Sequence, residues 1–410
     1  MEKNVDTVKK RVIIVANFCD YGNERTNNRF NYIAALLAEN GYDVELVTST
    51  FCHREKRQRS VTTDSNAYKS TIIYEPTYKK NVSLKRFLSH YVWGRGVAKY
   101  LKTVEKPDLI YCAVPSIDAP YEVAKYCKRN NVPFVIDVQD LWPEAFQMAL
   151  NIPIVSDILF FPFKHRIDKV YRAADAVVAV SETYAARARK VNKKAVESCV
   201  VYLGTRLEDF DGYCSSTERG DPDGKIRLAY CGTLGSSYDL TSVFDAMSIL
   251  KDKGIDNIHF RVVGSGPFQE RFEQYAKSKD IDVVFTGKLP YADMCRELFS
   301  CDIAINAIAK GAPQSIINKH GDYFAAGMPT VSTQECEEYR ALLDTFNCGI
   351  NCDSESAEQI ATAIEALMSE EKRLEMGRCA RRLAEERFDR KNTYPLIVKL
   401  IDKLQKEHSS

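Results

Sequence analysis

Short apolar runs alternate with amphipathic segments of helical length along most of the chain. In the first part, apolar runs at 12–16, 43–48, 109–112, 133–138 and 176–180 are interleaved with helical patterns at 28–40, 117–130 and 182–190. After a polar, turn-rich stretch at 214–224 come apolar runs at 226–230, 258–263, 283–285 and 303–306 and helical patterns at 238–251, 268–278 and 291–299. Short strands that alternate with helices of this length predict parallel sheets joined by right-handed crossovers.

The length of the chain and the second start of this alternation predict two domains. A chain of 410 residues fits two domains of roughly 150 residues each. We expect a Rossmann-like domain over 1–204, a second one over 205–390, and an amphipathic helical segment over 391–410. The predicted fold class is α/β, with two doubly wound parallel sheets that bind ligands at the carboxyl ends of their strands.

Composition and charge exclude several classes of protein. Hydrophobic residues make up 45% of the chain, so disorder is not indicated, and a net charge of +1 gives no reason to expect nucleic acid. The 13 cysteines form no Cys-x-x-Cys motif, and free thiols in this number are typical of a reducing cytosol. No apolar stretch approaches the ~20 residues of a spanning helix. We therefore expect a cytoplasmic protein, or one that lies on the inner face of the cell membrane without crossing it.

The most informative segment is 314–329, where an amide, a cation and a carboxylate precede a Gly-x-Pro stop. We predict that a helix starts here, and its N-terminal N–H groups and dipole suit a diphosphate. Gln314 and Asp322 are eight residues apart, about two helical turns, so the pattern turns both toward one ligand. Lys319 would meet phosphate as a point charge, and Asp322 would accept hydrogen bonds from a diol such as ribose. The alternative is an ordinary capped helix.

Two glycine-containing loops follow strands in the second half. Gly232, Thr233, Gly235 and Ser236 lie in the first loop, and Gly264 and Gly266 lie in the second. Glycines let backbone N–H groups approach a phosphate closely, although any turn of a doubly wound domain can hold two glycines. A dinucleotide fingerprint is not favoured, because Gln269 occupies the third glycine position. Lys288 follows a later strand, as either a phosphate contact or a solvated charge.

Acidic and aromatic residues follow a strand in the first half. Asp137 lies near the end of that strand, and Asp140-Leu141-Trp142-Pro143 follows it. A carboxylate at this edge of a sheet can orient or deprotonate an acceptor hydroxyl. Asp140 is therefore our candidate on the acceptor side, and the alternative is that it caps a helix that begins near Pro143.

These segments together resemble the retaining glycosyltransferases of family 4, and in particular the branch that assembles capsule and O-antigen polysaccharides. The resemblance covers nearly the whole chain and is densest at 140–143 and 318–329. It implies the GT-B fold, in which two Rossmann-like domains face each other across a cleft and the last helix crosses back to the first domain. The family has glutamates where this chain has Gln314 and Asp322, and it often has an Arg and a Lys in the first glycine loop, where this chain has neither.

The resemblance also implies roles for individual residues. The catalytic residues would be Asp140, Lys319 and Gln314. The donor would be bound by Gly232, Thr233, Gly235, Ser236, Gly264, Gly266, Lys288, Leu289, Ser315, Ile316, Ile317 and Asp322. On the acceptor side the family uses the first loop, so the candidates are Asn17, Asp20, Tyr21, Arg29 and Trp142. For Arg29, an anion contact and an exposed position in the first helical turn are equally consistent with the sequence.

The activity implied is transfer of a sugar from a nucleotide-sugar donor to a saccharide acceptor, with a lipid-linked saccharide favoured, in cell-surface polysaccharide biosynthesis. The nucleotide sugar is a co-substrate, so we expect no cofactor, and we expect no metal ion because no Asp-x-Asp triplet follows a strand. Two alternatives remain open. One is a sugar-nucleotide epimerase of the same architecture, and the other is a non-catalytic sugar-nucleotide-binding partner, which the amide at position 314 favours.

A basic and aromatic segment at 79–102 raises the question of a membrane. Its lysines and arginines alternate with leucine, phenylalanine, tyrosine and tryptophan, and a second apolar segment lies at 152–163. Such a pattern is typical of a helix that lies on an anionic membrane surface. The alternative is a helix that faces the core and has a solvated, charged side.

Overall fold

The computed structural model describes residues 9–19, 28–53, 55–59, 67–80, 83–145, 153–194, 196–220, 223–312 and 315–409. The chain divides into two compact units. Unit 1 consists of Met1–Val201 and Tyr394–Ser410, and unit 2 consists of Tyr202–Thr393. The sequence-based boundaries were drawn after residues 204 and 390.

Unit 1 contains a parallel sheet of seven strands in the order β5-β2-β1-β6-β7-β8-β9. The strands are β1 (Arg11–Val15), β2 (Asp43–Ser49), β5 (Lys69–Ile73), β6 (Leu109–Val114), β7 (Phe134–Val138), β8 (Ala176–Ala179) and β9 (Glu197–Val200), and a two-stranded ribbon pairs β3 (Phe51–Cys52) with β4 (Arg57–Gln58). The helices are α1 (Arg29–Glu39), α2 (Leu84–Tyr100), α3 (Asp118–Asn130), α4 (Pro153–Ala173), α5 (Glu182–Val191) and the last helix, α15 (Pro395–Ser409).

The central strands of unit 1 are buried on both faces. The residues of β6 and β7 are all buried, which matches their continuous apolar sequence. Helix α1 buries Phe30, Ile33, Ala34 and Leu37 at helical spacing, and these side chains share one core cluster with apolar residues of α15. The C-terminal segment is therefore part of the unit 1 core.

A buried ion pair fixes α1 to the sheet of unit 1. The Arg29 side chain is 3% exposed; its Nε donates to Asp137 Oδ2 at 2.8 Å and its Nη1 donates to Tyr394 OH at 2.9 Å and to Val201 O at 3.0 Å. Burial opposes the charge, but Asp137 outweighs it and raises the pKa of Arg29 above its usual value. The expectation of an exposed position in the first helical turn is wrong, because the guanidinium is buried and paired with Asp137. The acceptor-side role of Arg29 stays a prediction.

Unit 2 contains a parallel sheet of six strands in the order β12-β11-β10-β13-β14-β15. The strands are β10 (Ile226–Cys231), β11 (Ile258–Val263), β12 (Val283–Gly287), β13 (Ile303–Asn306), β14 (Thr330–Ser332) and β15 (Gly349–Asn351). The helices are α6 (Leu207–Cys214), α7 (Leu240–Asp252), α8 (Gln269–Ser278), α9 (Tyr291–Phe299), α10 (Asn318–Ala325), α11 (Glu337–Phe346), α12 (Ala357–Ala366), α13 (Glu370–Leu383) and α14 (Arg390–Thr393), with a π-helical turn at Ala384–Phe388.

The prediction of two doubly wound parallel sheets is confirmed, and one local prediction is wrong. The helix expected to start at Gln314 starts at Asn318, because Ile317 is extended, with φ −107° and ψ 164°. Residues 313–314 lie outside the described residues. The eight residues from Gln314 to Asp322 therefore do not form two helical turns, and the argument that helical spacing turns both side chains to one ligand fails. Within the described part of the chain, no helix is long and apolar enough to cross a membrane.

The buried ion pair yields a stability prediction. Replacing Asp137 by Asn leaves the Arg29 guanidinium buried without its anion, so we expect the free energy of unfolding of unit 1 to fall by about 3–5 kcal/mol. Both tryptophans of the chain, Trp93 and Trp142, belong to unit 1. Denaturant unfolding followed by tryptophan fluorescence therefore reports on this unit.

The matched control for this prediction is Glu122→Gln. Glu122 forms surface ion pairs with Lys125 and Arg95, and pairs of this kind contribute about 1 kcal/mol or less. A loss for Asp137→Asn no larger than that for Glu122→Gln would contradict the proposed role of the buried pair.

Candidate functional site

The ammonium group of Lys319 is buried among tyrosine rings at the start of α10. Its side chain is 6% exposed, and Nζ lies 4.4 Å and 4.5 Å from the ring centroids of Tyr230 and Tyr238 and 6.0 Å from that of Tyr323. Nζ has no hydrogen-bond partner among the described residues. Burial lowers the pKa of Lys319 to about 7. The rings stabilise the cation partly, but no carboxylate of the described residues neutralises it.

Tyr323 positions this cation beside the first glycine loop. The backbone N–H of Cys231, the last residue of β10, donates to Tyr323 OH at 2.7 Å, and Tyr323 OH donates to Ile305 O at 3.3 Å. These bonds hold α10 against the carboxyl ends of β10 and β13. Lys319, four residues before Tyr323 along the helix, is thereby placed between the helix N-terminus and the loop that follows β10.

The carboxylate of Asp322 lies on the same helix and is also buried. Thr205 Oγ1 and Tyr291 OH each donate to Asp322 Oδ1 at 2.8 Å. Burial raises the pKa of Asp322, and these two hydroxyl groups oppose that rise. One carboxylate oxygen is therefore committed to contacts that join the beginning of unit 2, α9 and α10.

The extended segment before α10 is held by residues that the sequence did not single out. Gln334 Nε2 donates to Ser315 O at 2.7 Å, and the Ile317 N–H donates to His320 Nδ1 at 3.3 Å. The His320 ring is buried and stacks on Tyr339, with centroids 3.9 Å apart. These contacts order the backbone that leads into the helix N-terminus.

The glycines of the two loops pack the loops against each other. A Cβ on Gly264 would lie 1.9 Å from Gly232 O, and one on Gly266 would lie 2.3 Å from Leu234 O. The N–H of Gly232 donates to Val263 O at 2.9 Å, so this amide is not turned toward a phosphate. The close packing matches the alternative interpretation of the loop, and the role of these three glycines in donor binding stays a prediction.

The remaining candidates for donor binding differ in exposure. Thr233, Ser236 and Lys288 are exposed, Gly235, Leu289 and Ile317 are half-buried, and Ser315 and Ile316 are buried. Gln314 lies outside the described residues. Sequence reasoning missed Tyr230 and Tyr238, although both flank the first glycine loop and could have been recognised as aromatic partners for a cation.

The acceptor-side candidates of unit 1 centre on Asp140 and Trp142. The Trp142 indole N–H donates to Asp140 Oδ2 at 2.9 Å, and the Leu141 N–H donates to Asp140 Oδ1 at 2.9 Å. Burial raises the pKa of Asp140. The Asp140 carboxylate thus accepts hydrogen bonds from two residues of the loop that follows β7. One of them comes from the Trp142 side chain, so the carboxylate does more than cap a helix. Asn17 is buried, and Asp20 and Tyr21 lie outside the described residues.

Possible metal ligands do not converge in the described part of either unit. No group of three or more His, Cys, Asp or Glu side chains there is arranged to hold a metal ion.

Family profiles match both halves of the sequence. The profile described as Glycosyltransferase Family 4 matches residues 27–209, and the profile described as Glycosyl transferases group 1 matches residues 216–383. Together the two matches extend over most of the chain. No curated protein sequence matches the chain significantly.

Solved structures share the fold at low sequence identity. Sucrose-phosphate synthase from Thermosynechococcus elongatus has a TM-score of 0.74 and 14% identity, over 97% of this chain and 99% of the other. HepE from Anabaena, in complex with UDP, has a TM-score of 0.68 and 15% identity, over 96% and 100%. WaaG, a glycosyltransferase involved in lipopolysaccharide biosynthesis, has a TM-score of 0.59 and 17% identity, over 91% and 95%.

The profile matches and the two parallel-sheet units agree with each other, and we conclude that this chain belongs to family 4 of the glycosyltransferases and has the GT-B fold.

Proposed function

We propose that this protein transfers a sugar from a nucleotide-sugar donor to a saccharide acceptor with retention of the anomeric configuration, and that unit 2 binds the donor. The observation that carries the proposal is the buried ammonium of Lys319, which has no hydrogen-bond partner among the described residues and no neutralising carboxylate. A diphosphate supplies the missing anion, and the N-terminus of α10 adds backbone N–H groups and a positive dipole end. The structures of HepE with UDP and with UDP-glucose support a nucleotide-sugar donor.

The positions of Lys319 and Asp322 assign parts of the donor. We place the diphosphate at Lys319 and the exposed part of the first glycine loop, around Ser236. Asp322 Oδ1 already accepts two hydrogen bonds, so we assign Oδ2 to the ribose diol. Lys319 then stabilises negative charge that develops on the leaving diphosphate, in a site from which water is largely excluded.

Retention requires no covalent intermediate in this proposal. The acceptor hydroxyl attacks the anomeric carbon from the face that the diphosphate leaves, and a diphosphate oxygen takes the hydroxyl proton. Asp140 of unit 1 orients the acceptor hydroxyl. Lys319 and the N-terminus of α10 stabilise the negative charge that develops on the leaving diphosphate. A divalent metal ion is therefore not required to stabilise that charge.

The acceptor we propose is a lipid-linked saccharide of a cell-surface polysaccharide of the capsule or O-antigen type. The likeness to WaaG, a glycosyltransferase involved in lipopolysaccharide biosynthesis, supports this role. Acceptors of this kind are held at a membrane, so the protein would act at the inner face of the cell membrane.

Helix α2 offers a surface that suits an anionic membrane. Leu84, Leu88 and Tyr91 are exposed along one stripe of the helix, and Arg95 and Lys99 continue that stripe. A groove of about 1000 Å³ beside the cationic half is lined by six cations and one acid: Arg95, Lys99, Lys102, Lys106, Lys125, Arg129 and Glu122. Arg86, His90 and Trp93, which the sequence pattern had counted toward this surface, are buried instead.

The donor site is tested by the thermal stability of unit 2 with nucleotide sugars. We expect UDP-, GDP- or ADP-sugars of one nucleotide series to raise the melting temperature of the wild type without added metal ion and with a chelator present. Lys319→Met removes the charge and keeps the apolar stem, so the variant should fold and lose the shift. Asp322→Asn should reduce it.

Lys310→Met is the matched control, since Lys310 is an exposed lysine of the same unit. A shift that survives in Lys319→Met would refute the donor-site assignment. A shift that appears only with manganese would refute the expectation of metal independence. Binding of a nucleotide sugar without sugar transfer to any acceptor would favour the alternative that the protein is a non-catalytic binding partner.

The membrane surface is tested by sedimentation with anionic vesicles. Each lysine or arginine near such a surface contributes about 1 kcal/mol, so the triple variant Lys85→Gln, Arg95→Gln, Lys99→Gln should partition roughly 100-fold more weakly. The control variant Lys277→Gln, Lys310→Gln, Lys372→Gln removes three exposed lysines from unit 2 and should sediment as the wild type does. Equal partitioning of the two variants would count against this surface.

A further inference from the structure

A cluster of ionisable and aromatic side chains lies at the carboxyl ends of the unit 1 strands. Its members, which we call the aromatic–cation cluster, follow β1, β2, β5 and β7 or lie in the first turns of α2. They are Phe18, His53, Lys56, Glu75, Tyr78, Arg86, His90, Asp140 and Trp142. Because the strands are parallel, these segments meet at one edge of the sheet.

Three rings surround the guanidinium of Arg86. Its Cζ lies 4.3 Å from the ring centroid of Trp142, 5.7 Å from that of Tyr78 and 5.9 Å from that of Phe18. The His90 ring stacks on Trp142, with centroids 5.6 Å apart. Trp142 in turn donates to Asp140, so the cluster is continuous with the proposed acceptor carboxylate.

A second cation lies against the same rings. Lys56 Nζ is 4.8 Å from the ring centroid of Tyr78 and 3.2 Å from His53 Nδ1. Lys56 and Arg86 therefore share Tyr78 as a neighbour. Two cations held this close repel each other, and burial makes the repulsion stronger.

The ionisation of the neighbouring groups reflects burial first and the two cations second. Burial, together with Arg86 and Lys56, lowers the pKa of His53 and of His90 to about 3. Burial and Arg86 lower the pKa of Lys56 to about 8. Burial also raises the pKa of Glu75 to about 7, so at neutral pH this acid supplies only part of a negative charge.

Two deeply buried polar atoms of the cluster have no hydrogen-bond partner among the described residues. They are His90 Nε2 and Glu75 Oε2, on side chains that are 2% and 1% exposed. These two side chains face each other, because His90 Nε2 lies 3.8 Å from Glu75 Oε1.

We propose that the aromatic–cation cluster is an acceptor subsite for an anionic group, a phosphate or a carboxylate, carried by the saccharide acceptor. This inference rests on the proposed function and names the chemical class of its acceptor. Arg86 contacts the anion through its planar donors and Lys56 contacts it as a point charge. The half-buried ring of Phe18 packs against the sugar, and Asp140 lies one contact away, beyond Trp142.

The test measures binding of small probes to the Lys319→Met variant, so that the donor site does not contribute. The probes are glucose, glucuronate, glucose 6-phosphate and farnesyl phosphate, titrated at matched ionic strength and followed by tryptophan fluorescence and calorimetry. We expect at least one anionic probe to bind at least tenfold more tightly than glucose. Glucuronate, glucose 6-phosphate and farnesyl phosphate distinguish a sugar carboxylate, a sugar phosphate and a lipid-linked phosphate.

Lys56→Met and Arg86→Met, each added to Lys319→Met, should weaken that binding at least tenfold. Lys85→Met is the control, because Lys85 neighbours Arg86 in sequence but is exposed. Lys56 is half-exposed on the ribbon, so its variant remains informative if Arg86→Met does not fold. Equal binding of glucose and all anionic probes, or binding unchanged in Lys56→Met, would overturn the proposal. If the wild type binds no nucleotide sugar, the proposed function is overturned instead. This result is independent of the result with the small probes.

Discussion

The ammonium of Lys319 is buried without a counter-charge among the described residues, and the proposed donor site depends on this one constraint. An isolated ammonium in a low-dielectric environment is strongly disfavoured, and tyrosine rings offset only part of that cost. The surrounding structure nevertheless fixes it there: Tyr323 ties the helix to two strands, and His320 holds the backbone that precedes it. In the proposed function, the diphosphate of the nucleotide sugar supplies the anion that this buried lysine lacks.

A second buried cation in the same chain shows what a purely structural arrangement looks like. Arg29 is as deeply buried as Lys319, but Asp137 neutralises it and Tyr394 OH and Val201 O accept from its guanidinium. Its pKa is raised, whereas burial lowers that of Lys319. The contrast distinguishes a cation that is neutralised in the core from one that is not neutralised within the described residues. In the aromatic–cation cluster, rings surround Arg86 and lie beside Lys56, while burial lowers the pKa of both cations.

The fold followed from the sequence because periodicity is a property of many residues at once. Strands at 258–263 and 303–306 and the helix at 291–299 were predicted with the bounds that the structure has. The site was predicted less completely from the sequence, because its features depend on contacts between residues that are far apart along the chain. Nothing local shows that Arg29 meets Asp137, 108 residues away, or that Gly264 is a glycine because Gly232 O would collide with a side chain. The extended segment before α10 is held in part by Gln334, which donates to Ser315 O from 19 residues further along the chain.

The central claim is tested most directly by counting the protons that accompany donor binding. A nucleotide sugar has no group that titrates near neutrality, and Lys319, with a pKa of about 7, is mostly neutral at about pH 8. Calorimetric titration there, in two buffers of different ionisation enthalpy, should show uptake of about one proton per donor bound by the wild type. Affinity should correspondingly fall as the pH rises above about 7. Donor binding by the wild type without proton uptake would contradict the claim that the diphosphate is bound by the Lys319 ammonium.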